Sequence, residues 1–323
     1  MPKVSVIIPV YNVEDYIERC AISLFEQTLD DIQFIFVNDC TKDKSIERVL
    51  EIKKNYPARE KHIQIVNLPE NQKLHKARLA GIAVANGDYI IHCDLDDFVD
   101  RDMYRSLYAT AIENQSDIVW CGYQKRNDTS EMMFWEKCDS DRISILKGLF
   151  SGTLMGSMCN KLVKKEIAKD PTILAPKNYF CEDLVFASQY VMRAKRFSYV
   201  EHCYYHYIVR SSSILSTYHQ NIALLLEKNH MIQDNLTLLH QIVSDFSLEN
   251  ELKTYMWRQK YNLKQAYLPL VLKQQSVSYW IECFPEVHKH IFFSSEFTFS
   301  EKMKAFLILT HLYIPFRKFL RIE

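Results

Sequence analysis

The stretch IIHCDLDDFVDRD, residues 90–102, ends an apolar run on five carboxylates, Asp94, Asp96, Asp97, Asp100 and Asp102. Aspartates suit turns and the first turn of a helix, which accounts for Asp100 and Asp102. Asp94 and Asp96 need a different reason. Alternate residues of an extended segment point the same way, so this pair repels unless a cation relieves it. Hard divalent cations such as Mg2+ or Mn2+ fit such a seat, taking one or two carboxylates and leaving the remaining positions to substrate phosphates and water. Further acids sit at two comparable places. Asp39 closes the apolar run FIFVND, and Glu182-Asp183 opens LVF and the helical run after it, where the plain reading is charge that complements a helix N-terminus.

The elements around these acids alternate. Val4–Val10 is a continuous apolar strand, and residues 15–28 carry apolar side chains at helical spacing. Strands are predicted at Phe34–Val37, Ile63–Val66, Tyr89–Cys93 and Asp117–Cys121. Helices are predicted near Lys44–Asn55, Lys73–Ala85, where Asn86-Gly87 stops the run, and Met103–Asn114. Continuous apolar strands between amphipathic helices predict an α/β fold, a doubly wound, mostly parallel sheet covered on both faces. Ligands of such sheets bind beyond the carboxyl ends of the strands, where Pro9-Val10-Tyr11-Asn12, Asn38-Asp39 and Asp94-Leu95-Asp96 all fall. From about 121 to 210 the alternation is irregular, with a strand-like FSYVEHCYYHYIV at 197–209. His202 and His206 there have a spacing a zinc site could use, but the strand character and the lack of H-E-x-x-H favour aromatic core or pocket lining.

Composition removes several classes. Hydrophobic residues at 48% and charged residues at 25% are ordinary for a globular chain of 323 residues. Forty basic side chains balance forty acidic ones, so no global field recruits nucleic acid. The nine scattered cysteines contain no C-x-x-C pair and read as reduced, mostly buried thiols of a cytoplasmic protein. MPKVSVIIPVYN reads as a strand, since its short apolar run contains proline and no small-residue cleavage site follows. No window reaches the roughly 18 apolar residues of a membrane-spanning helix. The six glycines form neither G-x-G-x-x-G nor G-x-x-x-x-G-K-[ST], which removes the two common phosphate cradles and leaves a cation to meet phosphate.

Beyond residue 215 the composition turns to long helices, so residues 1–215 are expected as one domain and 216–323 as a helical C-terminal region. Leu225, Ile232, Leu236, Leu239 and Val243 form a core-like stripe. The tail EKMKAFLILTHLYIPFRKFLRIE, residues 301–323, sets five Lys or Arg against two Glu. Its apolar centre is too short to span a bilayer, and two readings stay open: a helix packed on the protein, or an interfacial segment on anionic lipid.

Four stretches together, VSVIIPVYNVEDYIERCAISLFEQT, FIFVNDCTKDKS, NQKLHKARLAGIAVANGDYIIHCDLDD and NYFCEDLVF, resemble in order the motif set of inverting glycosyltransferases of family two, which have the GT-A fold. The resemblance covers about the first 210 residues. SMCNKLVKKEI at 157–167 and YYHYIVRSSSI at 204–214 are similar to bacterial members that build capsular, exopolysaccharide or O-antigen units. The resemblance implies a UDP-sugar donor, with Asp39 on the uracil ring and Pro9, Tyr11 and Asn12 in the nucleotide wall. Asp94 would stand near the ribose and the water shell of the metal, and Asp96 would ligate Mn2+ or Mg2+. Arg78 would lie beside the nucleotide and Asp183 would be the general base. Asp97 and Glu182 are further candidates; Arg210 is either a surface charge or a contact to the donor diphosphate. Asn38, Cys40 and Lys73 depart from the family pattern, the last standing where glycine is usual. The absence of Q-x-x-R-W and of spanning helices implies addition of one sugar rather than processive synthesis. The implied acceptor is a glycan on polyprenyl diphosphate, which would bring the protein to the inner face of the plasma membrane. A sugar nucleotidylyltransferase and a non-catalytic nucleotide-binding module are the alternatives; the former usually wants a glycine- and arginine-rich loop where this chain has PVYNVEDY.

Overall fold

A computed structural model of the protein describes residues 1–127, 129–137, 139–209 and 221–320. The chain divides into two compact units, Met1–Ser211 and Ser212–Glu323. The boundary expected at 215/216 falls among residues 210–220, outside the described ones.

In the first unit the order is β1 (Val4–Val10), α1 (Ile17–Phe25), β2 (Ile32–Asn38), α2 (Ser45–Lys53), a 3-10 turn at Pro57–His62, β3 (Ile63–Asn67), α3 (Leu74–Val84), β4 (Tyr89–His92) and β5 (Phe98–Val99). It continues with α4 (Met103–Glu113), β6 (Ile118–Arg126), β7 (Glu131–Phe134), α5 (Arg142–Ser151), β8 (Lys161–Lys164), α6 (Lys165–Ala168), α7 (Glu182–Arg193) and β9 (Phe197–Ile208). The strands form one sheet in the order β3-β2-β1-β4-β8-β6-β9-β5, with β7 on β6. β1 pairs in parallel with β2 and β4, and β2 with β3, so four strands deliver their carboxyl ends to one edge. Past β4 the sheet departs from a plain parallel array. β8 is inserted antiparallel between β4 and β6, and only then does β9 run parallel to β6.

The core explains the continuous apolar strands. Val4, Val6, Ile8 and Val10 pack on one face with Ile17, Cys20, Ala21 and Leu24 of α1 and with Met103, Tyr104 and Leu107 of α4, all fully buried. The other face, with Ile7 and Val37, receives α3. Gly81 lets that helix approach closely, since a Cβ there would lie 2.4 Å from Ile7 Cγ2 and 3.2 Å from Val37 Cγ2. Arg78, one turn before Gly81, is therefore carried on the buried face of α3 and has no exposed surface.

The second unit contains α8 (Ile222–Asp245), α9 (Glu249–Ala266), α10 (Leu268–Gln274), α11 (Ser278–Glu282), α12 (Val287–Phe293), α13 (Phe299–Leu309) and α14 (Tyr313–Leu320). Leu225, Leu236, Leu239 and Val243 of α8 are buried and Ile232 is half-buried, as a core stripe should be. The tail is packed within this unit through Ala305, Ile308 and Tyr313, while Phe306, Leu312 and Phe316 are exposed. Among the described residues no helix is long and apolar enough to cross a membrane.

Candidate active site

The loops that follow β1 and β2 are tied to each other by Asp43. Its carboxylate accepts from Thr41 Oγ1 at 2.7 Å, Ser45 Oγ at 2.6 Å and the Glu14 amide at 2.9 Å. Burial would raise the pKa of Asp43, but these donors outweigh it and hold the group below the usual carboxylate range. The Asn12 amide in turn donates to Thr41 Oγ1 at 2.8 Å. Asn12 takes a positive φ of 52°, and Tyr11 beside it is exposed. Pro9 is half-buried, in register with Val37.

Asp39, just past β2, is almost fully buried. Its two oxygens accept from the amides of Gln72 at 2.6 Å and Lys73 at 3.0 Å, which fixes the entry to α3. Burial raises its pKa, and the two amides and the Lys73 charge oppose that rise without cancelling it.

Arg78 rises from α3 beneath the same edge. Nη2 lies 3.1 Å from Asp94 Oδ1 and 3.4 Å from Asp183 Oδ1, and Nε lies 3.7 Å from a Glu182 oxygen. One guanidinium nitrogen thus serves both the first aspartate after β4 and the second residue of α7, which are 89 positions apart in the chain. Burial opposes the charge of Arg78, but Asp183 and then Asp94 hold its pKa well above the ordinary value. Glu182 is pushed well up by burial and by its neighbour Asp183, against Arg78. Asp183 is likewise raised by burial, with Arg78 pulling the other way, yet 26% of its side chain is exposed. It is a carboxylate with raised basicity and a path to solvent, whereas Glu182 faces the interior.

The five carboxylates of the acid run go to different partners. Asp94 meets Arg78 and accepts from Cys159 Sγ at 3.5 Å. Asp96 is half-buried at the edge. Asp97 turns to β9, accepting from the Tyr205 hydroxyl at 2.5 Å and the Ile208 amide at 2.8 Å, and burial followed by the charges of Asp96 and Asp94 pushes its pKa well up. Asp100 pairs with His206 Nε2 at 2.7 Å and His202 Nε2 at 3.6 Å. Asp102 pairs with Thr28 and Arg105. His206 is buried and stacked on Phe98, with ring centroids 4.2 Å apart, which fits pocket or core lining. Arg210 lies outside the described residues.

The structure adds residues that sequence reasoning missed. Buried Glu136 accepts from Asn160 Nδ2 at 2.6 Å and from the Met155 amide, and buried Lys161 donates to the carbonyls of Met155 and Ser157 and to Asn160 Oδ1. This network fixes the loop that presents Cys159 to Asp94. Asn160 and Lys161 fall within SMCNKLVKKEI and Asp43 within FIFVNDCTKDKS, but nothing local assigns them these contacts, and Glu136 lies outside every such stretch. Among the described residues no three His, Cys, Asp or Glu side chains converge as around a metal held by protein alone. Asp94 and Asp96 fit the other type of seat, with one or two oxygen ligands completed by substrate phosphates.

These features agree with what the chain is similar to. The family model for glycosyl transferase family 2 matches residues 5–170. EpsH of Bacillus subtilis, named as a glycosyltransferase, is 31% identical over 278 residues, 78% of this chain and 78% of that protein. The S. aureus protein TarS, residues 1–349, crystallised in complex with UDP-GlcNAc, superposes with a TM-score of 0.61 at 18% identity, over 99% of this chain and 91% of that one. A mannosyltransferase from Pyrobaculum calidifontis, in complex with GDP-Man and Mn2+, superposes at 0.52 with 12% identity, over 100% and 88%. With the parallel strand ends, the acid pair after β4 and the match of half its length to the family model, the chain belongs to glycosyl transferase family 2 and is a glycosyltransferase of the GT-A fold.

Proposed function

We propose that this glycosyltransferase moves one sugar from a UDP-sugar to a hydroxyl of a glycan acceptor in cell-surface polysaccharide biosynthesis, with inversion at the anomeric carbon. The observation that carries the reading is the single buried guanidinium of Arg78 shared by Asp94 and Asp183, which brings the D-x-D edge and a basic carboxylate to one place. Asp39 is the candidate for the uracil ring, with Pro9, Tyr11 and Asn12 as the wall of that pocket. The UDP-GlcNAc complex of TarS supports a uridine donor, and the Mn2+ complex of the mannosyltransferase supports a divalent ion at Asp96 beside Asp94. Bound there, Mn2+ or Mg2+ would supply charge screening for a departing diphosphate.

The residues of the chain do the rest. Asp183 accepts the proton of the acceptor hydroxyl as it attacks, and its raised pKa and partial exposure suit that task. Arg78 keeps the carboxylate ionised and aimed. Glu182, buried behind, has no path to a substrate. Asp97 anchors the acid loop to β9, so Asp96 is held rather than left on a free turn. The exposed Phe306, Leu312 and Phe316, with Lys302, Lys304, Arg317 and Lys318 nearby in sequence, suit the surface of an anionic membrane at its cytoplasmic face, where a polyprenyl-diphosphate-linked acceptor would sit.

The test measures UDP released from a panel of UDP-sugars with Mn2+ and, in parallel, pyrophosphate released from UTP and sugar 1-phosphates. The reading expects UDP in the first assay; pyrophosphate in the second with no UDP in the first would indicate a nucleotidylyltransferase. Asp96→Ala should abolish divalent-dependent turnover with the fold intact; retention of more than about a tenth at saturating Mn2+ would remove Asp96 as the ligand.

A further inference from the structure

Four non-glycine residues with positive φ stand in the loops of the candidate site: Asn12 at 52°, Cys40 at 55°, Lys73 at 72° and Cys181 at 65°. Lys73 is the extreme case. Its ψ of 163° places it in a region that essentially only glycine occupies without strain. Asp39 holds the strained peptide, accepting from the amides of Gln72 and Lys73. Glycine would offer the same amides at no steric cost, so the backbone gives no reason for lysine here. What glycine lacks is the ammonium.

That ammonium is placed to meet a ligand. The Lys73 side chain is exposed, and among the described residues Nζ has neither hydrogen bond nor ion pair. It lies 5.9 Å from the centre of the Tyr179 ring. Tyr179 precedes Glu182 by three residues, so the cation stands between the segment clamped by Asp39 and the segment that carries the base. A site lined by Asp39, Asp94, Asp96 and Asp183 needs positive charge wherever an anionic donor is to enter.

We infer that Lys73 is a donor-binding residue whose ammonium takes an anionic oxygen of the nucleotide diphosphate, and that the backbone strain at this position is retained for it. The inference rests on the nucleotide-sugar reading above and assigns one more contact to that site.

The experiment compares wild type with Lys73→Met, Lys73→Arg and Lys73→Gly. Affinity for UDP is measured by calorimetry in Mn2+, affinity for uridine by saturation-transfer NMR, and stability by thermal melts. Lys73→Met, which keeps the strain and removes the charge, should weaken UDP about tenfold or more and leave uridine unchanged. Lys73→Arg should recover most of the UDP affinity. Lys73→Gly should lose UDP affinity as Met does, yet melt about 2–6 °C higher because the strain is gone. Wild-type affinity for UDP in Lys73→Met would overturn the inference, as would an equal loss for UDP and uridine, which would mean the residue acts through loop shape. A Lys73→Gly variant no more stable than wild type would overturn the strain argument. Failure of wild type to bind UDP would instead bring down the nucleotide reading itself.

Discussion

Replacing Arg78 by Met should destabilise the first unit strongly and in a pH-dependent way. The guanidinium is fully buried and faces three carboxylates whose side chains are 31% exposed at Asp94, 26% at Asp183 and 6% at Glu182. Without it, Asp94 and Asp183 can recover some water, but Glu182 cannot. The cost is therefore centred on one uncompensated buried charge, about 3–5 kcal/mol, or roughly 6–20 °C in melting midpoint for a unit of this size. The sign with pH follows from the raised pKa values of Glu182 and Asp183. A carboxyl whose pKa is raised by folding binds more protons in the native state, so its contribution to stability is intact below the unfolded value and is lost as pH rises through the folded one. Removing Arg78 raises the folded values further, so the deficit should be small near pH 4.5 and grow towards pH 7.5. Lys at this position should be intermediate, since a point charge cannot reach all three partners at once. Thermal melts of purified wild type, Arg78→Met and Arg78→Lys at both pH values read this directly. A Met variant melting within about 2 °C of wild type at pH 7.5 would refute the reasoning, as would a deficit of equal size at both pH values.

Other consequences follow from the same contacts. Gly81→Ala would set a Cβ 2.4 Å from Ile7 Cγ2, so it should cost about 1–3 kcal/mol and lower turnover by displacing Arg78; an unaltered melt would mean α3 shifts freely. Asp97→Ala should cost a similar amount, about 1–3 kcal/mol, by orphaning the Tyr205 hydroxyl and the Ile208 amide, and should weaken the Mn2+ response by loosening Asp96; melts and Mn2+ titration of turnover check both. Phe306→Ser with Phe316→Ser should leave the melt unchanged, because both side chains are about half exposed, and should reduce co-sedimentation with anionic liposomes at low salt; equal sedimentation would leave the tail as a packed helix only. Truncation after Ser300 is a poorer probe, since it removes Glu301, which pairs with Arg258 at 2.6 Å, and buried Ile308.

The elements legible in the sequence were those whose signal is local. β1 runs over Val4–Val10 as its apolar run predicts, and α3 starts and stops within a residue of the predicted limits. Glu182 opens α7, as an acidic helix start would. Sheet order is not local, so the insertion of β8 between β4 and β6 could not be read, and neither could the extension of β6 into the polar Gln124–Arg126 that pairs with β7. The acids at the strand ends are recognisable because carboxylates after apolar runs are costly without partners. The partners are not, because they lie far away in the chain: Tyr205 for Asp97, Cys159 for Asp94, His206 for Asp100. Arg78 is hardest to read. An arginine in a helix is solvated by default, and only Gly81 one turn later hints that this face of α3 is pressed against the sheet.

The central claim is that Asp183 is a base poised at a donor site rather than a structural acid of a helix start. The most direct measurement is Asp183→Asn, with UDP-sugar affinity by calorimetry in Mn2+ alongside transfer to acceptor. Asn is nearly isosteric, keeps an oxygen facing Arg78 and cannot take a proton, so donor affinity should stay within about threefold of wild type while transfer falls about a thousandfold. Donor affinity falling in step with transfer, or transfer persisting near the wild-type rate, would contradict the assignment.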